Sequence, residues 1–470
     1  MNKHFNWFTT VVAVAGICAA GSAFATNGYF THGTGTKNKA MAGSGIALPE
    51  DAIDVTNNPA VAPFVGDQLI FGAALFGPKR KYSTTDSLAN GNCSPQGCAF
   101  TIGPNNVKSN SNLFVIPHIA KSWQLENDSA WALSFYGRGG MNTDWKRPAT
   151  ATFDPDGPGS DFGPMTFDGT YGEALFGTSG KAGVNFSQAF LDITWAKKFN
   201  DRFSLGIAGV VVAQMFKANG VQTFGQYTKT FAVSGGTVMP DKLSNNGTDW
   251  AFGAGVKVGA HWLASDRVSL GLSYQSKIWM NEFDDYADLF ADDGDMDIPA
   301  DLKFGVTFHA NDKLDLNFDF EYIWYSDIGS VGNPIQNLFA CPTAGFGGTD
   351  VENCLGGSNG GGFGWDNMAI YKVGAKYKAG EDWTWRFGYS YGKQPIDNDQ
   401  MTFNILAPGV MQSHLTAGFT LERTKGRQFN MAVMYAPDKK VTGPNNFDPT
   451  QNVTFEMYQW EVEASYSWRF

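Results

Sequence analysis

Past residue 25 the chain has no stretch approaching the roughly 20 consecutive apolar residues of a membrane helix. Charge is scarce too. Only 17% of the residues are Asp, Glu, Lys or Arg, and acids prevail, for a net charge of -11. Nucleic acid is therefore excluded as the main partner, because no basic stripe is available to neutralise phosphates. The 6 histidines show no metal-ligand spacing, and 56 glycines include no phosphate-binding motif. No metal site and no cofactor are expected. Ser413-His414 is the only adjacent Ser-His pair. Neighbours on a strand point to opposite faces, a poor arrangement for a nucleophile and its base, so no catalytic residue is assigned and no enzyme is expected.

Cysteines number only 5. Cys18 lies in an N-terminal segment with Lys3, an apolar run from Phe8 to Ala20 and the small-x-small site Ala23-Phe24-Ala25. Residues 1–25 are thus expected to be a secretion signal. The remaining cysteines fall into two close pairs, Cys93 with Cys98 and Cys341 with Cys354. In an oxidising compartment this suggests two local disulfides; metal binding is the rival reading. A secreted chain without a membrane helix is either soluble or crosses a membrane as a closed barrel.

What the sequence does have is alternation. Hydrophobic residues make up 43% of the chain and aromatics 14%, yet the mean hydropathy is -0.23. Trp250, Phe252, Ala254, Val256, Val258, Ala260 and Trp262 fall on one face of a strand, with Lys257 and His261 on the other. Leu314 to Tyr322 and Trp383 to Tyr391 repeat the pattern. Trp and Tyr at the ends of such faces suit an interfacial aromatic girdle. About fourteen strands are expected, near 68–80, 110–123, 130–145, 186–199, 203–217, 249–263, 267–281, 301–310, 313–327, 367–379, 382–393, 411–422, 428–437 and 454–470. Their connections alternate between tight turns, such as Asn200-Asp201-Arg202 and Asn311-Asp312-Lys313, and long insertions, including 218–248, 282–300 and 438–453. This asymmetry marks a transmembrane antiparallel β-barrel, all-β, with its tight turns on the periplasmic side. The last strand ends on the aromatic Phe470 and looks like the signal read by the barrel assembly machinery.

Residues 26–62 are rich in Gly and Ala and poor in large apolar side chains, so they cannot build a core of their own and are expected to plug the barrel formed by 63–470. Gly33, Gly35, Gly43, Gly45, Asp51-Ala52 and above all Asn58-Pro59-Ala60 resemble the N-terminal hatch of FadL-type long-chain fatty-acid transporters, a family that includes channels for aromatic hydrocarbons. The resemblance implies a monomeric barrel of the bacterial outer membrane. It implies passive transport of long-chain fatty acids or similar hydrophobic molecules, captured outside and released through the wall. The alternatives are a channel for aromatic hydrocarbons or alkanes, an outer-membrane lipase, or a general porin, which would have no need of a plug.

Candidate sites follow. Gly137, Gly139 and Gly140 permit a kink in the third strand, where the resemblance implies the lateral opening; the bland alternative is that glycine is common throughout. Asn58-Pro59-Ala60 either ends the hatch or takes part in its movement. Phe283, Tyr286, Leu289 and Phe290 fall on one face of an expected short helix. With Phe224, Tyr227 and Phe231 they match the loops that build the family's capture groove, or else pack on their own barrel. The aspartates of 282–300 are candidates to bind divalent cations, which would then bridge to lipopolysaccharide, but they lack the spacing of a calcium loop. By strand parity the lumen holds Lys257, Lys277, Lys372 and Arg386, either as headgroup ligands or as ion pairs.

Overall fold

The computed structural model describes residues 26–88, 101–146, 149–153, 165–176 and 181–470. The expected signal at 1–25 lies outside the described residues, and so do Cys93 and Cys98. Of the two expected disulfides, the one between described residues, Cys341–Cys354, is formed.

Fourteen antiparallel strands close into a barrel. In chain order these are β1 (Gln68–Thr84), β2 (Phe114–Gln124), β3 (Ser129–Asn142), β4 (Gly183–Asn200), β5 (Phe203–Asn219), β6 (Asp249–Ser265) and β7 (Val268–Gln275). They continue as β8 (Asp301–Asn311), β9 (Leu314–Ile323), β10 (Met368–Lys378), β11 (Trp383–Gly392), β12 (Ser413–Thr424), β13 (Arg427–Asn445) and β14 (Asp448–Arg469). β1 pairs with β14 from Gln68↔Arg469 to Thr84↔Val453, so the sheet has no open edge there. Closure satisfies backbone groups that lipid cannot.

Alternation decides which side chains face lipid. Phe252, Val256, Val258 and Trp262 are exposed on β6, while Lys257 and His261 between them are buried. Phe71, Trp131, Trp195, Phe318, Phe387 and Tyr435 carry the same exposed face around the wall. In a soluble sandwich these would be core; on a closed barrel they form an apolar belt.

Two expectations need correction. The stretch 438–453 is not a long loop: β13 and β14 stay paired as far as Asn445↔Asp448, so this hairpin rises past the apolar belt. Its outward residues there are Lys440, Thr442 and Thr454, polar residues that a strand carries freely once it has left lipid. The segment 282–300 forms no amphipathic helix. It makes one turn at Asp284–Tyr286 and another at Ala291–Gly294, with Asp292 and Asp293 left-handed. Aspartate is a weak helix former, and the aromatic residues are drawn inward by contacts with the barrel.

Candidate functional site

Residues Thr26 to Val65 fill the bore and are almost entirely buried. Polar pairs hold them. Lys39 Nζ meets Glu461 at 3.0 Å and Glu463 at 2.7 Å on β14. Glu50 takes a bidentate grip from Arg386, at 2.7 and 3.0 Å, and a contact from Lys376 at 3.1 Å. Burial alone would raise the Glu50 carboxyl, but Arg386, Lys376 and Lys37 hold it well below the usual range. The backbone N–H groups of Gly45 and Ile46 donate to Asp319 Oδ2 at 2.8 and 2.9 Å. Gly43 has φ +79, a conformation open to glycine at little strain.

Asn58-Pro59-Ala60 forms the hatch's seat on β5 and β6. Asn58 caps the short helix Pro59–Val61, accepting from the Ala60 N–H at 3.0 Å and donating to the Ala260 carbonyl at 3.0 Å. Two wall glycines make the approach possible. A Cβ at Gly206 would lie 2.4 Å from the Pro59 carbonyl carbon, and one at Gly259 would lie 2.1 Å from Asn58 Oδ1. Beside it, burial with Asp51 nearby pushes the Asp54 carboxyl up to about 7.

The four expected lumen cations separate by position. Lys257 bonds Asp192 at 2.8 Å and the Thr56 carbonyl at 2.8 Å. Lys372 bonds Glu321 at 2.7 Å and the His32 carbonyl at 3.0 Å. Arg386 holds Glu50. Lys277 departs from its expected place: it lies past the end of β7, at the long-loop rim, paired with Asp297 at 2.5 Å. Each of the four therefore has an anionic partner already.

At the long-loop end, an apolar cavity is lined by Phe216, Val184, Phe224, Leu289, Phe290, Phe363, Leu355, Phe403 and Leu406. Its free volume is about 30 Å³, room for a few waters and far too little for an extended apolar molecule. Phe216 packs against the rings of Phe283, Tyr286 and Phe290 at 5.7, 4.8 and 4.6 Å, edge-on to Tyr286, which explains why these loop residues are buried rather than open as a groove. Tyr227 packs beside Phe224 at 6.3 Å. Phe231 stands apart, half-buried on the helix Lys229–Val233, near the exposed Val238 and Met239. The disulfide Cys341–Cys354 ties the covering loop, and Cys341 Sγ lies 3.8 Å from the Tyr227 carbonyl.

An aromatic chain leads from this cavity to a break in the wall. Phe216 meets Phe186 at 6.3 Å, Phe186 meets Tyr29 at 5.8 Å, and Tyr29 meets Trp365 at 5.9 Å. Tyr29 lies at the break. β2 and β3 pair only up to His118↔Tyr136, and the β3–β4 register slips between Gly137 and Gly140. Arg138 and Gly139 bulge from the ladder. The hatch takes over their backbone bonds: the Thr31 N–H donates to the Arg138 carbonyl at 2.9 Å, and the Gly140 N–H to the Tyr29 carbonyl at 3.0 Å. The Arg138 guanidinium turns inward to Asp301 at 2.7 Å and sits over the Phe30 ring at 4.2 Å. A Cβ at Gly139 would fall 1.8 Å from Gln188 Oε1, so no larger residue fits without displacement.

Below the hatch is a vestibule of about 800 Å³ at the tight-turn rim, lined by Leu48, Phe64, His261, Ser269, His309, Asp315 and Lys376. There Ser269 Oγ lies 2.9 Å from His309 Nε2, and His309 Nδ1 lies 2.7 Å from Asp315. The order is that of a hydrolytic triad, but the surroundings are not. Ser269 sits mid-ladder between Leu263 and Thr307, so strand pairing uses the backbone N–H groups needed for an oxyanion hole. Asp315 is also shared with Lys376 at 3.3 Å. Ser413 and His414 point apart, to Tyr389 and Ser390 respectively.

A plugged, closed barrel with an apolar upper chamber and a broken wall is a distinctive combination. The family model described as outer membrane protein transport protein (OMPP1/FadL/TodX) matches residues 160–468. This chain belongs to that family. It is an outer-membrane transporter of hydrophobic molecules, and the family's members are transporters and channels rather than enzymes. Solved structures similar in fold include a Pseudomonas aeruginosa FadL homologue, with TM-score 0.61 and 16% identity over 94% of this chain and 100% of that one. The P. putida toluene transporter TodX aligns with TM-score 0.59 and 16% identity, covering 94% of this chain and 99% of its own. The Ralstonia pickettii toluene transporter TbuX does so with TM-score 0.56 and 13% identity, covering 94% and 99%. No curated protein sequence matches the chain. Sequence reasoning missed the seating glycines Gly206 and Gly259 and the hatch contacts of Asp319, because each depends on which wall position meets which hatch residue.

Proposed function

We propose that this FadL/TodX-family chain admits long-chain fatty acids or similarly extended apolar molecules into the loop cavity and releases them sideways at the β3 break. Residues 26–62 act as the hatch, residues 63–470 as a monomeric barrel, and transport is passive. The observation that carries this reading is the aromatic chain from Phe216 through Phe186 to Tyr29, ending at the bulge of Arg138 and Gly139. The hatch's ion pairs block the straight route to the vestibule, so an apolar molecule meets fewer polar groups by leaving through the wall. The cavity must widen to admit substrate.

A channel for monoaromatic hydrocarbons is the second reading. It is favoured by the lumen cations Lys257, Lys372 and Arg386 all being engaged, which leaves a carboxylate headgroup without a free partner among them. Uptake of a labelled long-chain fatty acid and of labelled toluene, in cells lacking their own transporter, separates the two. Faster fatty-acid uptake supports the first reading; toluene uptake alone supports the second. Uptake of neither overturns both.

A further inference from the structure

The outer wall of this acidic protein carries a basic sector along β1 and β14. Along the β1–β14 ladder, Leu69 pairs with Trp468 and Lys79 with Tyr458. Ten residues at about 3.3 Å each, tilted about 40°, rise roughly 25 Å along the membrane normal, the height of an outer-membrane apolar band. The outward side chains change character at that height. Phe71 and Leu75 are exposed below it. Tyr435, Trp460 and Tyr458 form an aromatic rim, with Tyr435 opposite Trp460 on the paired strands.

Level with the rim comes Lys79, and directly above it Lys81, Lys108 and Lys440. Lys81 and Lys440 share one carboxylate, Glu456, at 2.6 and 3.1 Å. Lys79 and Lys108 have no ion pair among the described residues, yet both line the same surface cleft of about 330 Å³, with Asp438 and Glu456 as its acids. Ser109 and Asn112 add polar groups at its edge. Arg80, one residue out of phase, borders the cleft but turns its guanidinium to the Ser111 carbonyl. Three lysines line the cleft and Lys440 adjoins it through Glu456, against two carboxylates, which leaves it cationic at the depth where acyl chains give way to headgroups. The tight turns lie at the opposite rim, so this is the outer leaflet.

We propose that this cleft binds the phosphate groups of a phosphorylated glycolipid of the lipid A type, whose acyl chains lie over Phe71, Leu75 and Tyr435. Lys79 and Lys108 make the charge-assisted contacts, and Glu456 holds the Lys81 and Lys440 side chains in place.

The test measures retention of bis-phosphorylated lipid A by the purified, detergent-folded protein, using native mass spectrometry. Replacing Lys79, Lys81, Lys108 and Lys440 together by Ala is expected to lower retention by at least about tenfold, while a Lys→Arg set keeps it. Fully dephosphorylated lipid A is expected to bind parent and variant equally weakly. Heat-modifiable gel mobility confirms that each barrel is folded. Equal retention by the folded Ala set overturns the proposal. So does displacement of lipid A by equimolar phosphatidylglycerol or by inorganic phosphate, either of which would make the cleft a general anion site. Uptake of hydrophobic substrate is expected to stay unchanged in the Ala set, which separates this claim from the transport route.

Discussion

The Tyr29 carbonyl accepts a hydrogen bond from the Gly140 N–H at 3.0 Å, joining the hatch to the wall where β3 leaves its ladder. One contact therefore satisfies a strand donor that the bulge has orphaned and places an aromatic ring across the break. Moving the hatch's first residues away from β3 both opens the wall and frees backbone groups, so the opening is coupled to the hatch.

Truncating Tyr29 tests that coupling. Tyr29→Ala removes ring contacts to Phe186, Tyr325 and Trp365 and leaves a gap at the end of the aromatic chain. Deleting a buried aromatic costs about 3–5 kcal/mol where the surroundings do not collapse. The expected outcome is a barrel of normal heat stability whose residues 26–31 exchange amide hydrogens faster. Exchange unchanged from the parent would show that the ring does not seal the break.

The upper cavity is expected to set apparent affinity rather than barrel folding. Phe290→Ala removes a ring that packs against Phe216 at 4.6 Å and lines the cavity. A loss near 1.4 kcal/mol of substrate binding would raise the half-saturating concentration about tenfold. Uptake measured against substrate concentration should show that shift; an unaltered curve would place capture elsewhere.

At the seat, Gly206→Val drives side-chain atoms into the Pro59 carbonyl and is expected to displace the base of the hatch. Asn58→Ala is milder, removing the bonds to Ala60 and Ala260 at about 1–3 kcal/mol in total. Planar-bilayer conductance should rise clearly for Gly206→Val and only slightly for Asn58→Ala. Equal, silent bilayers would show that the seat does not hold the plug.

Acidity should tighten the hatch through Asp54. Its carboxyl is pushed up to about 7 by burial and by Asp51, above the ordinary aspartate value of 3.8. A raised folded-state value means that this contribution is fully present below the unfolded value and is lost as pH rises through about 7. The protection of the amides of residues 50–58, taken relative to their intrinsic base-catalysed exchange rates, is therefore expected to fall between pH 5 and pH 8. Asp54→Asn keeps an acceptor for the N–H groups of Glu50 and Asp51, now at 2.9 and 2.8 Å, and should flatten the pH dependence.

The barrel was readable because alternation needs only neighbouring residues. Trp250 to Trp262 announces one strand with its two faces, and the turn Asn311-Asp312-Lys313 announces the next reversal. The Cys341–Cys354 bond was readable for a similar reason, since its partners stand only 13 residues apart. The site was less readable because its contacts join distant segments. Nothing in the sequence near Lys39 points to Glu461 and Glu463, more than 400 residues away, and the Ser269-His309-Asp315 chain exists only through the register of three strands. The loop 282–300 misled for the same reason. Its aromatic spacing suggests a helix, but Phe216 on β5 gathers Phe283, Tyr286 and Phe290 around itself whatever the local backbone does. Glycines showed where the third strand bends, though not that the hatch would fill the bend.

The most direct measurement is uptake of the accepted hydrophobic substrate by Gly139→Val at matched outer-membrane levels and matched heat stability. The added side chain collides with Gln188 and crowds Tyr29 at the wall break, outside the cavity lining and the seat. A fall in uptake to a small fraction of the parent rate, with capture affinity preserved, is the expected result. Parent-level uptake through that blocked wall would contradict lateral release.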